Sequence, residues 1–462
     1  MNDSTNWYER YNASSIMTVR VRVDDHPGQL AQVLAKLAEN SAQLGNIELV
    51  GADGKDKVRD IQVFFVDAEQ RDRTLAEVSK MEGAEVLRVI DEVLEIHRGG
   101  TIQTRAKVPL ETLMDLRMVY TPGVATVCQA IVEDPVKALE YTAIGNKIAI
   151  VTDGTAVLGL GDIGPLAGMP VMEGKAAILD RFAGISAEPI LINSKDPDKI
   201  IDVVSHIADG YGAIQLEDIA APSCFIVERA LQEKLSKPVF HDDQHGTATV
   251  CVAGLLSALN RTGRKVQNVE AVVLGAGAAG SAIARFLVKM GVADVVVCDG
   301  AGALYRGRDH RMNDEKKSLA EMTNQQNMQG TIADAMKGKH LFVGVSRPNL
   351  VSPDMVRSMA KDPIVFALAN PVSEISVSEA LAAGAAVAMD GRGMNNALAY
   401  PGIFRGALDA RATRITHEMM LAGATALAEA SSDGLLPDML DMSVHRRVAE
   451  AVRNAWVPED TP

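Results

Sequence analysis

Two pairs of acids stand where chemistry could be assembled. Glu217 and Asp218 follow the apolar pair Ala213-Ile214, and Asp242 and Asp243 follow Val239-Phe240 in the same manner. If both apolar segments are parallel neighbouring strands, their carboxyl ends place four carboxylates in one crevice. Unpaired, those charges would repel and raise one another's pKa. A divalent cation resolves the conflict, and oxygen-only ligands select magnesium or manganese with positions left open for substrate. The bland alternative is a set of solvated loop acids. His241 and His245 are ligands on paper, but without further H-x-x-x-H helical context they read as structural.

Two proton-transfer groups stand upstream. Lys175 is a single amine among apolar neighbours in Met172-Glu173-Gly174-Lys175-Ala176-Ala177-Ile178-Leu179. Near a cation and apolar walls such a lysine loses its proton more easily and becomes a usable base. Tyr120 precedes Thr121-Pro122-Gly123, a tight turn that would hold its phenol still for proton delivery. Taken singly, each is a surface lysine or a core tyrosine. In combination they suit oxidation of a hydroxy acid followed by loss of carbon dioxide.

An apolar run over 269–274 leads into Gly275-Ala276-Gly277-Ala278-Ala279-Gly280, followed by helical spacing over 281–290 and a strand-like run over 293–298 that Asp299 closes. This is the context of a dinucleotide-binding unit: a tight turn, close backbone approach to pyrophosphate, and a helix amino terminus facing it. A carboxylate at Asp299 can bond a ribose 2′-hydroxyl and repels a 2′-phosphate. NAD is therefore favoured, with NADP the alternative through Arg306 and Arg308. A second match, Gly159-Leu160-Gly161-Asp162-Ile163-Gly164, follows a strand-like run over 147–151. Pro165 and Pro170 are expected to interrupt the helix it needs, so it reads as an active-site turn of another domain.

The elements that must position these groups alternate as strand and helix from about residue 100 to 410, as in α/β layers with parallel sheets. Residues 410–454 are helical by composition. Ahead of Arg98-Gly99-Gly100, a hinge by composition, lies a separate module. Residues 16–23 alternate with period two, the mark of a half-buried strand. A turn at Asp24-Asp25-His26-Pro27-Gly28 and helical spacing over 29–40 follow. Strands over 46–50 and 58–66, a helix over 71–81 and a closing strand over 85–96 complete the β-α-β-β-α-β order of ferredoxin-like folds.

Bulk properties bound the rest. With 462 residues, 47% hydrophobic and 23% charged, the chain has ample material for several buried cores. A net charge of −14 argues against a nucleic-acid partner, which needs a basic face. No apolar run approaches the roughly 20 residues that span a bilayer, and no signal-peptide h-region opens the chain, so no membrane association and a cytoplasmic location are expected. Cys128, Cys224, Cys251 and Cys298 form no C-x-x-C pair and read as buried small hydrophobes.

From about Gly100 to its end, the chain resembles the malic enzymes, in particular their shorter prokaryotic branch. The shared stretches are Val119-Tyr120-Thr121-Pro122-Gly123-Val124, Val151-Thr152-Asp153-Gly154-Thr155-Ala156-Val157-Leu158-Gly159, Met172-Glu173-Gly174-Lys175, Leu216-Glu217-Asp218, His241-Asp242-Asp243-Gln244-His245-Gly246-Thr247 and Pro401-Gly402-Ile403-Phe404-Arg405-Gly406. The Asp25-His26-Pro27-Gly28-Gln29-Leu30 loop of the leading module resembles that of ACT domains, which pair and bind small effectors near this loop. The plainer reading of that module is a structural appendage or dimerisation handle.

The resemblance implies an α/β chain divided into a tail (1–15), an ACT-like regulatory domain (16–97), a malic-enzyme catalytic domain (98–245) and a Rossmann NAD(P)-binding domain with carboxyl-terminal helices (246–462). It implies conversion of malate and NAD to pyruvate, carbon dioxide and NADH. Glu217, Asp218 and Asp243 would hold Mg²⁺ or Mn²⁺, Lys175 would take the hydroxyl proton, Asp242 would tune Lys175, and Tyr120 would aid protonation at carbon 3. The fingerprint residues and Asp299, with Asn370 and Asn396, would bind the cofactor. A homodimer or dimer-based assembly is implied as well. One departure is Ala156, where the longer branch carries an arginine for the substrate carboxylate; the chain is also shorter between Gly393 and Asn395 than prokaryotic relatives. A malolactic-type reaction that retains its nucleotide, and a catalytically silent metabolite sensor, are the competing readings.

Overall fold

The computed structural model describes residues 15–52, 54–157, 159–431 and 434–458. Apart from Ser15, the expected tail at 1–15 lies outside the described residues. The chain forms two compact units that part between Gln103 and Thr104. Gly99 and Gly100, just before that point, hold φ of 83° and 87°, a backbone that glycine adopts without a Cβ penalty.

The first unit runs β1 (Ile16–Asp24), α1 (Gln29–Glu39), β2 (Gln43–Ala52), β3 (Asp56–Phe64), α2 (Ala68–Val78), β4 (Ala84–Asp91) and a short α3 (Glu92–Ile96). Its antiparallel sheet has the order β2-β3-β1-β4, the split β-α-β-β-α-β arrangement. Alternation in β1 sends Met17, Val19, Val21 and Val23 inward, where they meet Val33 and Leu37 of α1 and Val78 of α2. The strand expected over 85–96 stops early. Asp91 caps α3 by accepting a hydrogen bond from the Leu94 amide (3.0 Å), and the following residues wind into that helix. So short an apolar run satisfies both periodicities, and the cap decides between them.

The second unit opens with α4 (Leu113–Val119), α5 (Val124–Glu133) and α6 (Ala138–Tyr141). Next come β5 (Lys147–Thr152), α7 (Pro165–Ala183), β6 (Ser186–Leu191), α8 (Pro197–Ile207), β7 (Ala213–Leu216), α9 (Ser223–Lys234) and β8 (Val239–His241). Their four strands form a parallel sheet in the order β6-β5-β7-β8. After α10 (Thr247–Thr262) the chain builds β9 (Glu270–Leu274), α11 (Ala278–Lys289), β10 (Asp294–Asp299), β11 (Gly302–Ala303), α12 (Asp314–Met322), α13 (Ile332–Met336), β12 (Leu341–Gly344), α14 (Pro353–Arg357), β13 (Ile364–Ala367), α15 (Val377–Ala382) and β14 (Val387–Asp390). This sheet has the order β11-β10-β9-β12-β13-β14 and is parallel except at its β11 edge. That is a Rossmann-type order with its switch point between β9 and β12. The helices α16 (Tyr400–Asp409), α17 (His417–Ala430) and α18 (Met442–Ala455) pack on one another at the end.

Pro165 and Pro170 do not interrupt the helix after the second glycine pattern; α7 runs unbroken through both. Pro165 stands at its first position, where the missing N–H would be unpaired anyway. Pro170 is exposed, and the Leu166 carbonyl it deprives lies on an exposed turn. Cys224, Cys251 and Cys298 are buried as expected, whereas Cys128 on α5 is exposed. Among the described residues, no helix is long and apolar enough to cross a membrane.

Candidate active site

β7 and β8 are parallel neighbours, with Leu216 beside His241. Their ends therefore release Glu217-Asp218 and Asp242-Asp243 into the same crevice. One carboxylate oxygen from each of Glu217, Asp218 and Asp243 lies within 4.8 Å of the others. Asp242, the fourth acid of the crevice, lies outside this trio and bonds Lys175, the residue that the resemblance pairs it with.

The electrostatics of the trio fit a hard cation. Burial, reinforced by Asp243, pushes the Asp218 carboxyl up to about 7. Burial also holds Glu217 well above the usual carboxylate range, with the neighbouring acids adding to it against the pull of Lys175. Asp218 Oδ2 is buried with no hydrogen-bond partner among the described residues. Crowded carboxyls, an orphaned oxygen and an all-oxygen donor set are what Mg²⁺ or Mn²⁺ relieves. The Asp218 backbone holds φ 54°, and its amide donates to Asp243 Oδ2 (2.9 Å), tying the two strand ends together.

Lys175 projects from α7 beside the buried Met172, Ala176 and Leu179. Its ammonium meets Glu217 Oε1 at 2.9 Å and bonds Asp242 Oδ2. The easily deprotonated amine was expected beside a cation, and the protein's own groups pull in both directions. Burial pulls the Lys175 pKa down, but Asp242 and Glu217 outweigh it and hold the pKa well above its ordinary value. Asp242 Oδ2 also accepts from Asn396 Nδ2 (2.7 Å), so Asn396 joins this cluster. Glu217 is steadied by Gln215, whose Nε2 donates to Oε2 at 2.7 Å.

Tyr120 is not brought to Lys175. It ends α4 and is 67% exposed. The phenol at Lys175 belongs to Tyr400, which starts α16 fully buried: the ammonium lies 4.8 Å from its ring centroid, and its hydroxyl has no hydrogen-bond partner among the described residues. Tyr400 precedes Pro401-Gly402-Ile403, a stretch whose spacing carries no chemical signal, and only the packing of α16 against α7 delivers it. Asp153 was also missed. It is buried, its Oδ1 accepts from Thr155 while Oδ2 has no partner, and burial raises its pKa. Ala156 donates its amide to the Asp218 carbonyl (2.9 Å).

At the other sheet, β9 runs into the glycine turn. Gly275 holds φ 122°, and a Cβ there would come within 2.6 Å of the Val345 carbonyl oxygen. A Cβ on Gly280 would strike the Gly275 carbonyl, whereas one on Gly277 would meet nothing within 4 Å. The turn is thus tight at both ends and open in the middle, the shape of a pyrophosphate cradle. Ala276 lies in the turn, and Ala278 and Ala279 begin α11, earlier than the helical spacing suggested.

Asp299 tips β10 as expected, with both oxygens engaged. Arg308 Nη2 reaches them at 2.8 and 2.9 Å, Lys316 Nζ reaches Oδ2 at 2.7 Å, and the Ala301 amide donates to Oδ1 at 2.9 Å. Burial opposes its charge, but Lys316, Ala301 and Arg308 hold the carboxyl below its ordinary value. Of the two arginines weighed for a 2′-phosphate, Arg308 is committed elsewhere and Arg306 is exposed. Arg308 is buried on Asp299 and the Gly302 and Ala303 carbonyls, and Arg306 donates to the Gln325 carbonyl. A cavity of about 550 Å³ opens beside Asp299, lined by Leu274, Tyr305, His310, Ile332 and Leu350 among others. Asn370 follows β13, with its amide on the Leu368 carbonyl (3.4 Å), and makes no contact with the Lys175 cluster.

Comparison with known proteins finds relatives of this chain. The profile of the malic enzyme N-terminal domain matches residues 99–232, and that of the malic enzyme NAD-binding domain matches 244–394 and 387–455. The chain is similar to an NAD-dependent malic enzyme of Geobacillus stearothermophilus, 42% identical over 96% of this chain and 95% of that protein. It is 48% identical to a bifunctional malic/malolactic enzyme of Bacillus subtilis, over 79% of this chain and 92% of that one. A crystal structure of an NAD-dependent malic enzyme from Thermotoga maritima superposes with a TM-score of 0.76 at 42% identity, covering 78% of this chain and 98% of that one.

Proposed function

The chain belongs to the malic enzyme family, and from that premise we propose that it oxidises malate with NAD and releases carbon dioxide, leaving pyruvate and NADH. One observation carries the chemistry: a single buried amine lies against Glu217 and Asp242, and Glu217 converges with Asp218 and Asp243. A divalent cation at those three carboxylates would supply Lewis-acid polarisation of the substrate oxygens. With a cation at Glu217, Asp218 and Asp243, the part of the charge on Lys175 that Glu217 and Asp243 supply is drawn off and Asp242 is left as its partner, so that Lys175 enters turnover as an amine with its proton released to solvent. Lys175 then takes the proton of the malate hydroxyl as the hydride leaves for the nicotinamide, and the carboxylate on carbon 3, one carbon removed from the new carbonyl, departs as carbon dioxide and leaves the enolate of pyruvate. Asp242 keeps the ammonium in place through these steps, with Asn396 fixing Asp242. The proton for carbon 3 is assigned to Tyr120 on the family resemblance alone, since within one chain the phenol beside Lys175 is that of Tyr400. Gly275, Gly277 and Gly280 cradle the pyrophosphate, and Asp299, already gripped by Arg308 and Lys316, marks the adenosine end where NAD is favoured.

Two finer assignments belong to the same proposal, and one alternative stands beside it. The first unit acts as an ACT-type regulatory module; its split β-α-β-β-α-β sheet and Asp25–Leu30 loop support this. The chain works as a homodimer, supported by the apolar face that α4 and α5 leave exposed at Leu113, Met118 and Val132; sedimentation showing only monomer would sink that reading. The malolactic alternative is favoured by the similarity to the bifunctional Bacillus subtilis relative. Initial rates with malate, crossing NAD against NADP and Mn²⁺ against chelator, test the whole. NADH absorbance should rise with turnover and only when metal is supplied, whereas malate consumption without net NADH would replace oxidation with the malolactic reaction.

A further inference from the structure

The turn that delivers Asp242 and Asp243 spans Asp242–Gly246, a wide π-type turn between β8 and α10. Turns of this width are uncommon and concentrate at functional sites. The Thr247 amide closes it on the Asp242 carbonyl, and a cavity of about 260 Å³ abuts Gln244 and His245. Beyond this closure, a polar group behind the turn can hold it further.

One carboxylate does. Glu228, on α9 and 6% exposed, faces the back of the turn. Its Oε1 accepts from the His241 amide (2.8 Å), and its Oε2 meets Gln244 Nε2 and His245 Nε2, both at 3.0 Å. These contacts fall at positions 241, 244 and 245, so they bracket Asp242 and Asp243 on both sides. Burial works against the charge on Glu228, yet His245 and the His241 amide hold its carboxyl below the ordinary value. Glu228 does not contact Lys175, and its side chain has no place among the converging carboxylates.

We propose that Glu228 is the positioning residue of the cation-holding turn, fixing from behind the angle at which Asp243 meets Glu217 and Asp218. The inference rests on the reading that those three carboxylates hold the cation. Groups that orient ligands from outside typically change metal affinity 10- to 100-fold when removed. Glu228→Gln keeps the shape but presents an amide to two donors on one side, and Glu228→Ala removes all three contacts.

The test is Mn²⁺ binding to the full chain, read directly from the electron paramagnetic resonance of free Mn²⁺. Expected are a Kd raised roughly 10-fold in Glu228→Gln and up to about 100-fold in Glu228→Ala. NADH affinity should stay unchanged, and kcat at saturating Mn²⁺ should fall within a few-fold of wild type. Asp243→Asn is measured beside them. If it weakens Mn²⁺ while folded Glu228→Gln binds as wild type, the positioning role is overturned and the metal reading stands. If Asp243→Asn also binds as wild type, the metal reading is wrong and the proposal falls with it. A uniform loss of thermal stability and kcat at unchanged Mn²⁺ affinity would likewise overturn it, since that is what a merely structural carboxylate would produce.

Discussion

Lys175 is clasped by Asp242 and Glu217, and of these only Glu217 belongs to the carboxylate trio, so the proposed base keeps Asp242 as its partner when a cation is bound. Lys175→Ala should lower kcat by at least the 10²–10⁴-fold typical of a lost general base, with NADH affinity, followed by fluorescence, unchanged. A variant turning over near the wild-type rate would remove the assignment. Asp218 gives a second handle. Its ordinary pKa of 3.8 rises to about 7 in the fold, chiefly by burial and then by Asp243. Between those values the folded chain holds a proton that the unfolded chain has lost, so this group weakens the fold as pH rises through that window. In chelator, the thermal midpoint should fall from pH 5 to pH 7.5 more steeply for wild type than for Asp218→Asn. Saturating Mn²⁺ should flatten the difference, and identical slopes in chelator would refute the attribution.

At the level of elements, the two parallel sheets do separate work. The acid pairs leave adjacent strand ends of one, and the glycine turn leaves the switch point of the other. Gly280 belongs wholly to the second, because its Cβ would drive the start of α11 off the Gly275 carbonyl. Gly280→Ala should weaken NADH binding by at least about 10-fold, as expected when helix and turn can no longer pack closely. Mn²⁺ binding should be untouched; equal loss of both would mean that the two sheets are not independent in function. These two elements were legible because strand, turn and helix are read from neighbours in the chain. The helix α7 was not, since a proline rule applied without burial hides that Pro165 opens the helix and Pro170 faces outward.

Across the whole molecule, the Thermotoga maritima enzyme aligns over 98% of its own length with 78% of this chain. The malic-enzyme domain profiles begin at residue 99. Removing residues 1–97 should therefore leave malate-dependent NADH formation within a few-fold of the full chain while abolishing any response to small effectors. Unchanged responses after truncation would reduce the first unit to an architectural appendage. The sequence by itself determined which reactive groups exist, their order, and the local elements that carry them, because strand alternation, helical spacing and glycine turns depend on residues a few positions apart. Only the tertiary structure decided which groups meet. It set Tyr400 rather than Tyr120 beneath the amine, drew Asn396 onto Asp242, and buried Arg308 on Asp299. Those outcomes follow from packing between elements distant in the chain, where a side chain's direction is set by what surrounds it and not by its neighbours in sequence.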